Sequence, residues 1–419
     1  MGSKCVSRMM TKSDTSPTPN SLGFMSPPAD TRVVVAMSGG VDSTVVAGLL
    51  AEQGYDVVGI TLQLYDHGEA IRAKGACCAG ADILDARRAA ATLGIKHYVL
   101  DYESRFRASV MDNFADSYLK GETPVPCITC NQTVKFHDLL ETARELGAAC
   151  LATGHYVRRQ VDKAGVAGLY RGRDAGKDQS YFLFATTKDQ LDYLRFPLGD
   201  MTKEETRDHA RRLGLALAEK PDSQDICFVP NGSYGDLVRR LRPGAIEPGD
   251  IVDVDGRILG RHDGVIDFTI GQRRGLGIGG RKDTDDADGP LYVVAIRPEL
   301  QQVVVGQKAD LACHEVILRE GNWLAPGVEP KGRQVLARLR NTAKAEPAEI
   351  INWQEDGSAV VRLTVPQYGI AAGQAAAIYD AASPDWLLGG GWIERAPSRA
   401  DVVANMAANA PATSDVGVA

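Results

Sequence analysis

Val33-Val34-Val35-Ala36-Met37-Ser38-Gly39-Gly40-Val41-Asp42-Ser43 is the stretch whose reading decides the fold. Three valines and an alanine read as a short strand, and the residues from about Ser43 to Gln53 keep a helical spacing of apolar side chains. Two glycines between them let the chain turn sharply. At such a strand-to-helix turn, backbone N–H groups and the positive end of the helix dipole together receive an anion. No Gly-Lys-Ser/Thr follows, so this is not a Walker loop, and the G-x-G-x-x-G dinucleotide spacing is absent too. Read alone, the stretch also fits a glycine turn capped by Asp42 or Ser43.

Outward from this loop the alternation continues. Val57 to Leu62 reads as a second strand, which completes a β-α-β unit. Ile83, Ala86, Ala90 and Leu93 mark a helix that stops at Gly94, and His97 to Leu100 a third strand. Further helical faces follow at Phe106, Val110, Phe114 and Tyr118 and at Phe136, Leu139, Leu140, Ala143 and Leu146, before the strand Cys150 to Thr153. Parallel strands need such crossovers, so the spacing predicts an α/β fold with a doubly wound parallel sheet over residues 31–228. Beyond Phe228, Pro-Gly and Asp-Gly pairs punctuate short segments and long helical faces disappear, which predicts a small central domain over 229–305. Val303–Val305, Val335–Arg340 and Ala359–Val365, spaced by turn residues, predict a C-terminal antiparallel β-barrel over 306–396. Residues 1–30, rich in Ser, Thr and Pro, and the Ala-rich 397–419 have the composition of disordered ends.

The 419 residues are 44% apolar with a formal net charge of −7, which suits a soluble protein of two or three domains and argues weakly against one coated in positive charge. Any nucleic-acid contact must be local. Lys4, Arg8 and Lys12 against the single acid Asp14 resemble an organelle leader, but a plain unstructured start fits the same residues. Val6 at the sixth position removes the myristoylation reading of Met1-Gly2. Eight irregularly placed cysteines without a secretory segment predict reduced thiols, and the expected location is the cytoplasm.

Cys127-Ile128-Thr129-Cys130 is a CxxC, which serves as half a zinc site, a redox pair or two ordinary thiols. Cys77-Cys78 supplies further ligands if a metal or iron-sulfur site exists, although no second CxxC does. Cys227, between Ile226 and Phe228, reads as a core thiol. Ala152-Thr153-Gly154-His155-Tyr156 falls at a strand end, the ligand edge of an open α/β sheet. Lys177-Asp178-Gln179 reads as a polar turn ahead of an aromatic strand. Gly271 to Gly280, carrying Arg273 and Arg274, reads as a tight loop whose cations suit phosphates, and Arg338-Leu339-Arg340 sets two cations on one strand face.

Ser38–Ser43 resembles the pyrophosphate (PP) loop of the ATP pyrophosphatase superfamily. Thr123-Pro124-x-Pro126-Cys127-x-x-Cys130-Asn131-x-x-x-Lys135-Phe136, together with Asp222-Ser223-Gln224-Asp225-Ile226-Cys227-Phe228, resembles the signatures of tRNA-specific 2-thiouridylases. The Lys177–Phe182 and Gly271–Gly280 stretches, Pro366-Gln367, Gly373-Gln374 and Gly389–Ile393 extend the match from about Arg32 to Ile393. The resemblance implies transfer of sulfur to C2 of the wobble uridine of tRNA, with the tRNAs for Lys, Glu and Gln expected. ATP, accompanied by Mg2+, adenylates the C2 oxygen and leaves as AMP and pyrophosphate. Cys130 is then the nucleophile and Cys227 the persulfide carrier, joined in a transient disulfide after turnover. The implied ATP contacts are Ala36, Met37, Ser38, Gly39, Gly40, Val41, Asp42, Ser43, Leu62 and Gly154. The implied tRNA contacts are Val125, Pro126, Cys127, His155, Lys177, Asp178, Gln179, Arg338, Leu339 and Gln374. A sulfur-relay protein or a cysteine desulfurase is implied as donor. Two departures stand out: Leu339 where the family often has an aromatic, and Val125 where Asn is common. Two rivals remain, a PP-loop ligase acting on a small metabolite and a cysteine-based metal or redox module. The first has no use for the thiols, the second none for the phosphate loop.

Overall fold

The structure is a computed structural model that describes residues 18–65, 78–222, 226–229, 233–278 and 289–397. The strands of the first half are β1 (Arg32–Ala36), β2 (Asp56–Gln63), β3 (Lys96–Asp101), β4 (Cys150–Ala152), β5 (Val157–Val161), β6 (Ala167–Arg171) and β7 (Leu194–Arg195). Five of them form one sheet in the order β3-β2-β1-β4-β7, parallel throughout. Its middle strand explains the valine run. Side chains alternate across a strand, so Val34 enters one apolar core while Val33 and Val35 enter the core on the other face. The helix Val41–Glu52 is buried along almost its whole length, between β1 and the helices Cys78–Leu93 and Lys203–Arg212. The doubly wound sheet is therefore as expected.

Disorder to residue 30 needs correction for residues 18–30. Leu22 joins the sheet core at 9% exposure, and its carbonyl accepts from Arg195 Nε at 2.7 Å. Phe24 lies under the Arg195 guanidinium. Two apolar anchors, Leu22 and Phe24, outweigh the polar composition around them. The disordered readings of 1–17 and 398–419, and Cys77, lie outside the described residues.

The second sheet takes β8 (Gly249–Asp253), β9 (Ile258–His262), β10 (Tyr292–Arg297) and β11 (Gln302–Gly306) in the order β10-β11-β8-β9. A helix, Tyr234–Leu241, precedes it where the punctuation suggested none. Ser233 caps it through a bond from Asp236 N, and Leu237 and Val238 pack beside Phe114 and Phe228. Eight residues are too few to leave a periodic signal.

The third sheet contains β12 (Ala312–Trp323), β13 (Gln334–Arg338), β14 (Glu346–Trp353), β15 (Ala359–Tyr368), β16 (Ala375–Asp380) and β17 (Trp386–Arg395). Neighbouring strands are antiparallel, and pairing of β12 with β17 closes the barrel. The β5–β6 hairpin, which comes from the first half of the chain, adds to β17 through Leu169 and Tyr170. Further along β17, Gly390 lets β16 approach closely, because a Cβ at that position would stand 2.4 Å from the Ala376 carbonyl. Barrel and nucleotide domain thus share one sheet. Ser180–Leu183 is a single helical turn rather than the aromatic strand expected after Gln179.

Candidate active site

The phosphate loop leaves β1 at Ala36. Met37 N still bonds the Ile60 carbonyl of β2, after which the backbone departs from the sheet. Ser38 N donates to Ser43 Oγ at 3.1 Å and Thr44 Oγ1 to the Gly40 carbonyl at 2.9 Å, which folds the loop back onto the start of the helix. Gly39 stands at φ +77°, and a Cβ there would lie 2.1 Å from the Asp82 carbonyl. Two residues past the end of β4, a Cβ at Gly154 would lie 2.7 Å from Ser43 N. Gly154 and the Ser38–Ser43 loop therefore meet between β1 and β4, where the strand order reverses and open sheets bind ligands. Leu62 is at the end of β2 and packs towards the thiol-bearing cluster.

An ionic network joins this loop to the motif that ends in Cys227. Lys203 Nζ donates to both Asp42 oxygens at 2.7 and 2.9 Å and meets Asp222 at 2.6 Å. Tyr156 Oη donates to Asp42 at 2.8 Å, and Lys177 holds the other Asp222 oxygen at 2.7 Å. Burial alone would raise the Asp222 carboxyl, but Lys177 and Lys203 outweigh it and hold the group below its ordinary value. On the far side, Lys220 Nζ donates to the Gly39 carbonyl at 2.9 Å and to Asp82 and Asp85 at 2.7 Å. Sequence reading missed Lys203, Lys220 and Tyr156. The Thr202–Glu205 capping box was readable and places Lys203 at a helix start, but nothing local reports that this start faces Asp42.

The thiols sit where the barrel grips the nucleotide domain. Thr123 N donates to the Ala372 carbonyl at 2.8 Å, Gln374 Nε2 to the Thr123 carbonyl at 2.7 Å, and Arg319 pairs with Glu122. From this clamped segment Val125 leads into the helix Pro126–Cys130, with Pro126 in the first turn where its missing N–H costs nothing. The helix runs on through a wide π-helical stretch, Asn131–Asp138, an irregularity that often marks functional positions. Cys130 is 6% exposed and packs in one cluster with Val134 and Phe228. Burial pushes its thiol up, and the Lys135 ammonium pulls the other way.

Cys127 and Cys227 are exposed. Yet desolvation pushes the Cys227 thiol up to about 12, with Cys130 and Cys127 adding to the rise and Lys135 and a hydrogen bond with Tyr65 opposing it. Cys130 and Cys127 thus stand within electrostatic reach of Cys227.

Several residues expected to meet tRNA bond the protein itself. His155, held neutral by burial and the nearby Lys135 with its value near 3, bonds Thr153 through Nδ1 and packs edge-on to Phe136 and Phe196. Asp178 accepts from Arg338, Ser180 and Gly172 N, and Gln179 accepts from Tyr156 N. Leu339 is corrected: at 3% exposure it belongs to the barrel core and offers tRNA no surface. β13 ends at Arg338, so Arg340 lies past the strand, bonded to the Tyr368 carbonyl. No group of three or more His, Cys, Asp or Glu among the described residues is placed to hold a metal. Mg2+ is commonly held by one or two carboxylates plus substrate phosphates, and Asp42 beside the loop fits that mode.

Fold and site define a PP-loop, ATP-using nucleotide domain continued by two β domains, in which Cys130 packs in one cluster with Phe228, the neighbour of Cys227. Residues 31–231 match the family described as "tRNA methyl transferase HUP domain", 238–307 its "PRC-barrel domain" and 313–393 the "Aminomethyltransferase beta-barrel domain". The chain is 62% identical to the tRNA-specific 2-thiouridylase MnmA of Rhodospirillum centenum over 91% of this chain and 97% of that one. It is 57% identical to that of Parvibaculum lavamentivorans over 90% and 94%, and 55% identical to that of Rhodopseudomonas palustris over 95% and 99%. The chain belongs to the tRNA-specific 2-thiouridylase family.

Proposed function

We propose that this protein catalyses ATP-dependent 2-thiolation of the wobble uridine of tRNA, with Cys227 carrying the sulfur and Cys130 completing its transfer. One observation supports the reading: Lys203 ties the phosphate loop to Asp222, which opens the Cys227 motif, while Cys130 packs in one cluster with Phe228, the residue after Cys227. Methyl transfer, the word in the matched domain's description, needs neither a phosphate loop nor a thiol pair.

The C2 oxygen of uridine leaves poorly, and AMP transferred to it makes a good leaving group. ATP therefore binds at Ser38–Ser43 with Gly154 beside it, Mg2+ arriving on its phosphates next to Asp42. A sulfur-relay protein or cysteine desulfurase loads Cys227 with a persulfide. The outer sulfur attacks C2 and expels AMP, after which the Cys130 thiolate attacks Cys227 Sγ and frees the thiouridine. Alternatively Cys130 attacks first and releases hydrosulfide as the attacking species. Both routes leave a Cys130–Cys227 disulfide, which thiol–disulfide exchange must reopen before the next turnover. No helix among the described residues is long and apolar enough to cross a membrane, and the cytoplasm is the proposed site of action.

Unmodified tRNA incubated with the protein, Mg-ATP and a persulfide donor, then digested for nucleoside mass spectrometry, tests the proposal. It requires 2-thiouridine with stoichiometric AMP, both dependent on tRNA. ATP consumption without tRNA marking would instead favour the small-metabolite ligase.

A further inference from the structure

Cys127 is left without a task by the two-thiol scheme. It lies three residues before Cys130 in the helix Pro126–Cys130. Residues three apart share a helix face, and the separation of such positions falls in the range a disulfide can span. The two sulfurs differ in access: Cys127 is exposed and Cys130 buried. Cys227 interacts electrostatically with both. Two thiols on one helix turn, with the third beside a residue that packs against Cys130, allow an exchange within the protein before any reductant arrives.

We propose that Cys127 is the resolving cysteine of this enzyme, reopening the Cys130–Cys227 disulfide by internal exchange. The step rests on the sulfur-transfer reading above and balances without an added oxidant. The Cys127 thiolate attacks Cys130 Sγ, a Cys127–Cys130 bond forms, and the Cys130–Cys227 bond breaks with its electron pair leaving on Cys227 as thiolate. A dithiol reductant then opens the Cys127–Cys130 disulfide, whose Cys127 end faces solvent, taking up two electrons and two protons at the cysteines. The advantage is access and order. Buried Cys130 is shielded from a bulky reductant, and attack by that reductant on Cys227 would block the sulfur-receiving thiol with a mixed disulfide. Internal exchange instead returns Cys227 free for reloading.

The test uses full-length protein loaded with persulfide and given Mg-ATP and tRNA for one turnover without reductant. The protein is then alkylated, and its disulfides are mapped by peptide mass spectrometry. The expected product is a Cys127–Cys130 disulfide with Cys227 alkylated; a Cys130–Cys227 disulfide in the wild type after 2-thiouridine has formed overturns the proposal. In Cys127→Ser the trapped disulfide moves to Cys130–Cys227, and the steady-state rate falls about tenfold between saturating and scarce dithiol, against about twofold or less in the wild type. Equal dithiol dependence in both proteins also overturns it. Failure of the underlying reading looks different: the wild type then makes no 2-thiouridine in that first turnover.

Discussion

Gln374 Nε2 donates to the Thr123 carbonyl at 2.7 Å, and through this bond the C-terminal barrel holds the segment that carries Cys127 and Cys130. The donor is part-buried, and Gly373 beside it packs so close that a Cβ would stand 2.9 Å from Glu122 Cβ. Gln374 acts by positioning this loop. Gln374→Glu replaces the donor by a carboxylate facing a carbonyl oxygen. Thiolation in single turnover should fall roughly tenfold or more, with Gln374→Ala milder, as expected for a part-buried acceptor left unpaired at a cost of about 1–3 kcal/mol. Unchanged rates in Gln374→Glu would show that the clamp does not matter.

Lys203 joins Asp42 to Asp222 from a side chain only 12% exposed. Lys203→Met leaves two partly buried carboxylates short of a cation. It should raise the KM for ATP roughly tenfold and lower stability by about 2 kcal/mol, less than for breaking a fully buried pair because both acids keep some solvent. ATP titration and urea unfolding check the two effects separately.

Asp222, held below its ordinary value by Lys177 and Lys203 against the opposing effect of burial, contributes stability above the unfolded carboxylate value of 3.8. That contribution disappears as pH falls through the lower folded value. Asp222→Asn should flatten this part of the acid unfolding curve, measured by circular dichroism against pH.

His155 runs over a different window. Partly buried and neutral when folded, its value lies near 3, whereas the unfolded ring takes a proton below 6.5. Stability therefore falls between pH 6.5 and about 3 with a limiting slope of about 1.4 kcal/mol per pH unit. His155→Gln should remove that slope while leaving the Asp222 window in place. The neutral ring also supplies no acid at neutral pH, so the substitution should leave the pH dependence of the rate around neutrality unchanged.

The sheet and phosphate loop were legible because both rest on local pattern: buried valines in a row, two glycines and a helical repeat. The barrel was legible from its turn punctuation. What the sequence hid depends on distant pairing. Leu22 and Phe24 are anchored by Arg195, far along the chain, and Lys203 reaches Asp42 from another helix. The β5–β6 hairpin reads locally as part of the first domain and pairs with the barrel instead. Among the candidate site residues, the family resemblance, not spacing, pointed to Cys130, Cys227 and Gly154. It could not say that Asp178 would bind Arg338 or that Leu339 would point inward, since these follow from where strand β13 ends.

The central claim is that sulfur passes from Cys227 to the tRNA base. The most direct measurement loads the protein with isotopically labelled persulfide, removes the donor, and adds Mg-ATP and unmodified tRNA. The account predicts labelled 2-thiouridine, at most one per protein without reductant, and no labelled product from Cys227→Ser. Label that stays on the protein while ATP is consumed, or labelled 2-thiouridine from Cys227→Ser, would contradict it.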